Sequence, residues 1–304
     1  MSTGHKGSAA GASGWQPARI GEVYGTGHPV FSFEFFPPKT DVGASNLMRT
    51  AADLKEHVEP DFISVTYGAG GSTRDRTHEV VTRIQNELGI TGLAHLTCVG
   101  ATADEIGEVV GRLERAGVRN VLALRGDAPD PDAGFEVTDG GFAHATDLIG
   151  YLEENHDVCV GGACYPEAHP EAESADADLR YALQKQEAGA EFLTTQLFFD
   201  QAHYFGFVER ARAAGITIPI VPGIMPVSNV AQIKRFTKMC GASIPEALLD
   251  RLRPVQDDPG AVMATGIEYA ITQCRELLDK GAPGIHFYTL NKSHATRSIL
   301  AALR

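Results

Sequence analysis

Eight short apolar runs recur along the chain, and their recurrence limits the possible fold more than any other feature. They read VFSFEFF (30–36), DFISVTY (61–67), GLAHLTCV (92–99), RNVLALR (119–125), VCVGGACY (158–165), FLTTQLFF (192–199), IPIVPGI (218–224) and GIHFYTL (284–290). Each is rich in β-branched or aromatic residues and bounded by turn residues, the pattern of a parallel strand buried on both faces. Between the runs the periodicity becomes helical. ATADEIGEVVGRLERAG (101–117) places Ile106, Val109, Val110 and Leu113 on one face, offers Thr102 as N-cap with Glu105 three residues on, and stops at Gly117. SADADLRYALQKQEAGA repeats the pattern with Ser174 at the cap. The early strands return about every 30 residues, the size of one βαβ unit. The last interval is longer and holds an extra helical segment around 244–254. Eight such units predict an α/β fold, a (β/α)8 TIM barrel in a single domain. A doubly wound sheet is the main competitor, but YGAGGSTRD (67–75) lacks GxGxxG spacing and no GxxxxGK[ST] occurs.

The 304 residues suffice for one large core. MSTGHKGSAAGASGW (1–15) is rich in Gly, Ser and Ala without an apolar signal-peptide region. Residues 1–18 are therefore expected to form a disordered N-terminal tail, with the barrel spanning 19–304. A net charge of −13 argues against nucleic-acid binding. No apolar stretch has membrane-spanning length. The five cysteines form no CxxC pair, which predicts reduced thiols and a cytoplasmic protein.

Barrels of this kind keep their chemistry at the C-terminal ends of the strands. Those ends carry Glu34, then Thr66, then His95 with Thr97, then Arg125-Gly126-Asp127, followed by Tyr165, Gln196 and Tyr288 with Asn291. Polar side chains inside apolar runs are costly unless paired or used. Glu34, flanked by Phe33, Phe35 and Phe36, is expected to have its pKa raised by desolvation, which suits a general acid; pairing with a barrel Lys or Arg is the structural alternative. Asp127 is either a functional carboxylate or a loop N-cap, with Arg125 beside it as a possible ion-pair partner. His95 and His169 both fall where the barrel mouth should be. No HxH or other ligand spacing points to a catalytic metal. Asp127-Ala-Pro-Asp-Pro-Asp-Ala-Gly opens a long loop that reads as a flap or as surface filler.

Taken together, FEFFPPK, VTYGA…RDRT, AHLTC, LRGD, YPEAHPEA, TQLFFD, PGIMPVSN and HFYTLN resemble the signature segments of the methylenetetrahydrofolate reductase family, in order from Phe31 to Asn291. The resemblance implies a barrel that binds FAD and takes a hydride from NADH or NADPH. By a ping-pong route it would reduce 5,10-methylenetetrahydrofolate to 5-methyltetrahydrofolate, feeding one-carbon metabolism and methionine synthesis. It implies Glu34 as proton donor for opening the folate's five-membered ring, Asp127 as the aspartate beside flavin and folate, and Gln196 as the amide shared by pterin and nicotinamide. Substrate contacts would fall on Thr66, Asp127, Gln196, Gln232, Phe236, Tyr288 and Lys292. Flavin contacts would fall on Tyr67, Ala69, His95, Arg125, Gly126, Asp127, His144, Ala145, Tyr165, His169, Ala172, Asp178, Tyr181, Gln184 and Lys185. Arg125, His169 and Lys185 would face the pyrophosphate and Asp178 a ribose hydroxyl. Two positions depart from the family pattern. His144 stands where Tyr is usual, and Lys292 stands where Arg is usual, keeping the charge but losing the bidentate fork. The resemblance also implies a homo-oligomer and no C-terminal regulatory domain under adenosylmethionine control.

Three other readings stay open on the sequence. A glycosidase barrel would use Glu34 and Asp127 as its carboxylate pair, although the single Trp15 leaves no tryptophan platform for a sugar. Another flavin-dependent barrel oxidoreductase, of the proline-dehydrogenase kind, would share the fold. A non-catalytic folate- or flavin-binding barrel would share the pocket.

Overall fold

The computed structural model describes residues 15–68, 74–127 and 136–304. Ala69, the loop expected to act as a flap (128–135) and most of the expected tail (1–14) lie outside the described residues. A short helix α1 (Ile20–Val23) leads into alternating strands and helices: β1 (Val30–Phe35), α2 (Asp41–Val58), β2 (Phe62–Val65), α3 (Arg74–Leu88), β3 (Thr91–Thr97) and α4 (Ala103–Arg115). The alternation continues through β4 (Asn120–Leu124), α5 (Ala145–Asn155), β5 (Cys159–Cys164), α6 (Ala175–Glu187), β6 (Phe192–Thr195) and α7 (Gln201–Ala213). It ends with β7 (Ile220–Val221), β8 (Gly223–Ile224), α8 (Val230–Cys240), α9 (Glu246–Leu252), α10 (Pro259–Asp279), β9 (Gly284–Tyr288) and α11 (His294–Leu303).

All strand pairs are parallel, in the order β7-β6-β5-β4-β3-β2-β1-β9-β8. β7 and β8 flank Pro222 and are two halves of one barrel strand, the first pairing with β6 and the second with β9. Pro222 has no N–H for the ladder, yet its carbonyl accepts from the His286 N–H at 3.0 Å. That one strand closes the sheet, so nine segments make the eight-stranded barrel that the recurrence predicts.

The helices form where the periodicity placed them. The α4 capping box joins Thr102 and Glu105, and Ile106, Val109, Val110 and Leu113 are buried beneath it. Gly117 follows at φ 83°, where other residues would be strained. Ser174 caps α6 by accepting from the Ala177 N–H. The extra helical segment is α9.

The strands sort their side chains by alternation. Outward-facing Phe33, Phe35, Ile63, Leu96, Val121, Val160, Ile285 and Phe287 pack beneath the helices. Inside, at the N-terminal end, Phe62, Leu93, Leu122, Cys159 and Phe192 form an apolar plug with Ile20 of α1. Asn120 ties α1 down: its Oδ1 accepts from the Ile20 N–H, and its Nδ2 donates to the Ala18 and Gly92 carbonyls. The Phe192 ring lies over its paired neighbour Gly161 on β5, where a Cβ would lie 2.3 Å from ring atom Cζ. Each fully buried phenylalanine contributes roughly 1.5–3 kcal/mol by desolvation. This floor leaves the upper half of the barrel interior for polar groups.

Candidate active site

Above the apolar floor the lumen turns polar. Ser32 and Glu34 alternate inward on β1, and His286 and Tyr288 on β9. Ser64 of β2 and His95 and Thr97 of β3 are also buried. Glu34 is only 9% exposed, and its Oε2 lies 3.3 Å from both His286 Nε2 and His95 Nε2. The other His286 nitrogen, Nδ1, lies 2.7 Å from Ser32 Oγ. With a proton on Nε2 and a bare Nδ1, His286 satisfies both partners, donating to the carboxylate and accepting from the serine. The Thr289 hydroxyl, 2.6 Å away, donates to the Glu34 carbonyl and anchors the β1 backbone.

These neighbours correct the expectation for Glu34. Burial pushes its pKa up, but the His286 hydrogen bond and the fields of His95 and His286 outweigh burial and hold the carboxyl below its ordinary value. The flanking phenylalanines do not enclose the acid: Phe33 and Phe35 face the helices and Phe36 is 40% exposed. Burial lowers His95 from 6.5 to about 4, more than the nearby Glu34 carboxylate restores. His95 is therefore neutral near pH 7. Its Nε2, with Ser64 Oγ and Thr97 Oγ1, is a buried polar atom without a hydrogen-bond partner. A buried polar atom left without a partner is costly, so these three are candidates to meet a polar ligand or water.

The wall beside Glu34 is built by β9 and β6. Tyr288 pairs with Glu34 across the sheet, and its hydroxyl donates to the Thr195 carbonyl at 2.7 Å. That bond occupies the hydroxyl, so Tyr288 presents its ring. Burial pushes the phenol well above its ordinary pKa. Next to Thr195, the Gln196 Oε1 accepts from the Leu197 N–H at 2.8 Å, which fixes the amide and leaves its N–H donors for a ligand. Helix α8, capped by Asn229, carries the half-buried Gln232 and Phe236, with Arg235 lying 5.3 Å from the Phe236 ring centre. Thr66 follows β2 and its carbonyl accepts from Thr77 Oγ1. After β9, Asn291 both accepts from the Phe36 N–H and donates to the Phe36 carbonyl, stitching β9 to β1, while Lys292 is exposed beyond it.

A second group gathers at the ends of β4 and β5. Gly126 has φ 86°, and an added Cβ would lie 2.7 Å from Val99. Asp127 is exposed. Arg125 makes a 2.7 Å ion pair with Glu171 in the loop after β5. Within that loop Tyr165 and His169 meet edge to face at 4.7 Å, and the Ala172 N–H returns to the His169 carbonyl. The Glu171 N–H donates to His169 Nδ1, which puts the neutral proton on Nε2. Burial and the neighbouring Arg125 hold His169 below its ordinary pKa, outweighing Glu171 and Asp178. The Asp178 carboxylate accepts from the His169 N–H, and burial raises its pKa. Lys185 Nζ donates to the Ala163 carbonyl at 2.6 Å, and burial lowers its pKa. Tyr67 follows β2, with burial raising its phenol. Ala145 is buried at the start of α5, where the preceding His144 stacks on Tyr181 of α6 at 6.5 Å; Gln184 is exposed one turn further.

The structure thus brings Glu34, His95, Gln196 and Tyr288 to one wall, and Arg125, Tyr165, His169, Asp178 and Lys185 to the adjoining one. Sequence reading missed Ser32, His286 and Glu171. The first two were detectable, because Ser32 with Glu34 and His286 with Tyr288 show the two-residue alternation of an inward face. Among the described residues no group of His, Cys, Asp and Glu could hold a metal ion, and no helix is long and apolar enough to cross a membrane.

A parallel (β/α)8 barrel that is apolar at one end and lined by an acid and imidazoles at the other belongs with the barrel enzymes that work at the C-terminal strand ends. The sequence matches the family description "Methylenetetrahydrofolate reductase" over residues 19–304. The chain belongs to that family. It is 40% identical over 296 residues to a rice protein named probable methylenetetrahydrofolate reductase (NADH), covering 94% of this chain and 50% of the relative. An Arabidopsis thaliana methylenetetrahydrofolate reductase (NADH) 1 gives the same identity and coverage. The chain thus spans about half the length of these plant relatives. With the Escherichia coli 5,10-methylenetetrahydrofolate reductase it shares 38% identity over 272 residues, 90% of each chain. Among solved structures, a Clostridium thermocellum protein described as binding two copies of 5-methyl-5,6,7,8-tetrahydrofolic acid superposes with a TM-score of 0.62. That match covers 92% of this chain and 95% of the other at 15% identity, and supports the fold.

Proposed function

We propose that this chain reduces 5,10-methylenetetrahydrofolate to 5-methyltetrahydrofolate with NADH, using bound FAD. The observation that carries the reading is the buried Glu34, a carboxylate held between two imidazoles in the lumen of a barrel of this family. The residues fit an FAD: partnerless polar atoms on Ser64, His95 and Thr97 lie at the lumen, Arg125 supplies a cation, and Tyr165, Tyr181 and His144 supply ring surfaces. When bound, FAD supplies two-electron chemistry, accepting a hydride from one ligand and yielding it to the next.

The chain's own work is to hold the folate and move a proton. A closed imidazolidine ring is a poor hydride acceptor until one C–N bond breaks. Breaking it needs a proton on the departing nitrogen and leaves a cationic iminium on the other. Glu34 is the donor in this reading. Being ionised in the free protein, it takes up a proton before ring opening, and His286 with Ser32 is the hydrogen-bonded route beside it. Asp127, exposed at the end of β4, would stabilise the developing positive charge. Gln196 offers its free N–H donors to the pterin, or to the nicotinamide carboxamide in the other half-reaction. Tyr288, Phe236, Gln232 and Thr66 would shape that pocket, and Lys292 would meet the folate's glutamate tail as a point charge. The overall reaction balances as folate, NADH and one proton giving methylfolate and NAD+. NADH is preferred to NADPH here because the plant relatives carry NADH in their names. Assembly as a homo-oligomer belongs to the same reading.

The test is anaerobic visible absorption of the purified protein. NADH should bleach an oxidised flavin band and methylenetetrahydrofolate should restore it. Bleaching without recovery would keep the flavin barrel and point to another acceptor. Absence of a flavin band after adding FAD would overturn the proposal.

A further inference from the structure

Three cationic or imidazole side chains converge at the ends of β4 and β5, but they differ in availability. Lys185 Nζ is spent on the Ala163 carbonyl at 2.6 Å. His169 is held neutral by burial and by Arg125, with Nδ1 occupied by the Glu171 N–H. Arg125 is the strong cation of the group, 27% exposed, and Glu171 sits on its guanidinium at 2.7 Å with 63% of its own side chain in solvent. A carboxylate and a phosphate present the same pair of oxygens to a guanidinium fork, so they compete for it.

The geometry points to Glu171 as a displaceable stand-in for the cofactor's pyrophosphate: it holds Arg125 in its binding position in the free protein and must leave the guanidinium when FAD arrives. This rests on the FAD reading above and extends it to the control of affinity. Glu171 is suited to the part because, among the described residues, Arg125 is the ion-pair partner of its largely exposed side chain. Its backbone stays anchored, with its own N–H on His169 Nδ1 and the His169 N–H on Asp178. The side chain can therefore swing into water while the loop keeps its shape. In place, it neutralises a half-buried cation whose Nε also donates to the Gly126 carbonyl at 3.4 Å. Its cost is direct, since every FAD that binds must first break the pair. Glu171 thus lowers cofactor affinity while organising the site, and a carboxylate waiting beside the guanidinium also speeds FAD release.

The test compares the full-length protein with Glu171→Gln after removal of flavin, measuring FAD affinity by fluorescence quenching and thermal unfolding of the apoprotein. Glutamine keeps size and hydrogen bonding but drops the charge. The variant should bind FAD about two- to five-fold more tightly, the range set by a partly exposed ion pair. The difference should shrink as salt rises. Riboflavin, which lacks phosphate, should bind both proteins equally. Inorganic pyrophosphate should raise the unfolding temperature of the variant apoprotein more than that of the parent. Arg125→Gln should abolish the advantage of removing Glu171. Equal or weaker FAD binding by Glu171→Gln, or an equal gain for riboflavin, would overturn the inference and leave the FAD reading standing. Failure of the parent protein itself to bind FAD would instead remove the reading beneath it.

Discussion

Glu34 shows how a single residue can be found correctly and its environment misjudged. An acid inside VFSFEFF is conspicuous in the sequence, but its titration depends on His286, which lies 252 residues away, and on His95 in a third strand. Neither distance is legible along the chain, which is why desolvation was expected to win, whereas the His286 hydrogen bond and the two histidine fields together outweigh it. Replacing Glu34 with Gln should slow the folate half-reaction about 10²- to 10⁴-fold, the usual worth of a positioned acid. Flavin reduction by NADH should change little, and stopped-flow absorbance of the two half-reactions separates these outcomes. The same pair sets a pH dependence of stability. In the unfolded chain His95 takes up a proton near 6.5, in the fold only near 4. Between those values the unfolded state binds more protons, so acidification weakens the fold by up to about 1.4 kcal/mol per pH unit. Glu34 acts in the same direction: its contribution is complete above the unfolded carboxyl's value and is lost as pH falls through its lower folded value. His95→Asn should flatten the decline, measured by urea unfolding at pH 7, 6 and 5.

Among the elements, helices were the more legible. Thr102 with Glu105 and the stripe from Ile106 to Leu113 are local signals, and α4 follows them residue by residue. The closing strand was less so. IPIVPGI reads as one run, but Pro222 divides it, and only the partner strands decide that each half pairs on a different side. The polar seam after β9 was visible as Asn291 without its purpose. Its amide grips both polar groups of Phe36 while its own backbone sits at φ 59°, so Asn291→Ala should cost about 1–3 kcal/mol in thermal unfolding. Gly266 in α10 has a tighter constraint, since a Cβ there would lie 2.0 Å from the Val227 carbonyl. Gly266→Ala must push that segment aside, two residues before the Asn229 cap of α8. A loss of about 1–3 kcal/mol is expected. The apparent KM for the folate should rise more than that for NADH, because Gln232 and Phe236 ride on α8.

At the scale of the whole molecule, one barrel divides its labour along its axis. The end closed by α1 and the Phe192 layer is mainly apolar, with the buried Tyr24 hydroxyl as a polar exception, whereas the other end keeps Ser64 Oγ, His95 Nε2 and Thr97 Oγ1 buried without hydrogen-bond partners. Such atoms are a debt that a ligand settles, so the cofactor should stabilise the fold as well as act in it. Titrating FAD into apoprotein should raise the unfolding temperature continuously, reaching about 2.7 kcal/mol of added stability at a hundredfold excess over Kd. A plateau at zero would show that the lumen does not take the flavin. The division also explains why the barrel was readable and the flavin-side ion pairs were not. Apolar strands announce themselves by composition, while Arg125 and Glu171 are ordinary surface charges until the fold sets them side by side.

The split at Pro222 has a mechanical meaning. A closed barrel is a hoop, and a hoop yields at its thinnest stave. Elsewhere neighbouring strands share four or five paired positions, but each half of the broken strand shares only two with its neighbour. Deuterium should therefore enter the amides of β6 and β9 that face this stave before those that face the rest of the wall. Because Gln196 and Tyr288 stand on either side of it, the part of the rim that would receive two different ligands in turn is also the part that springs most easily.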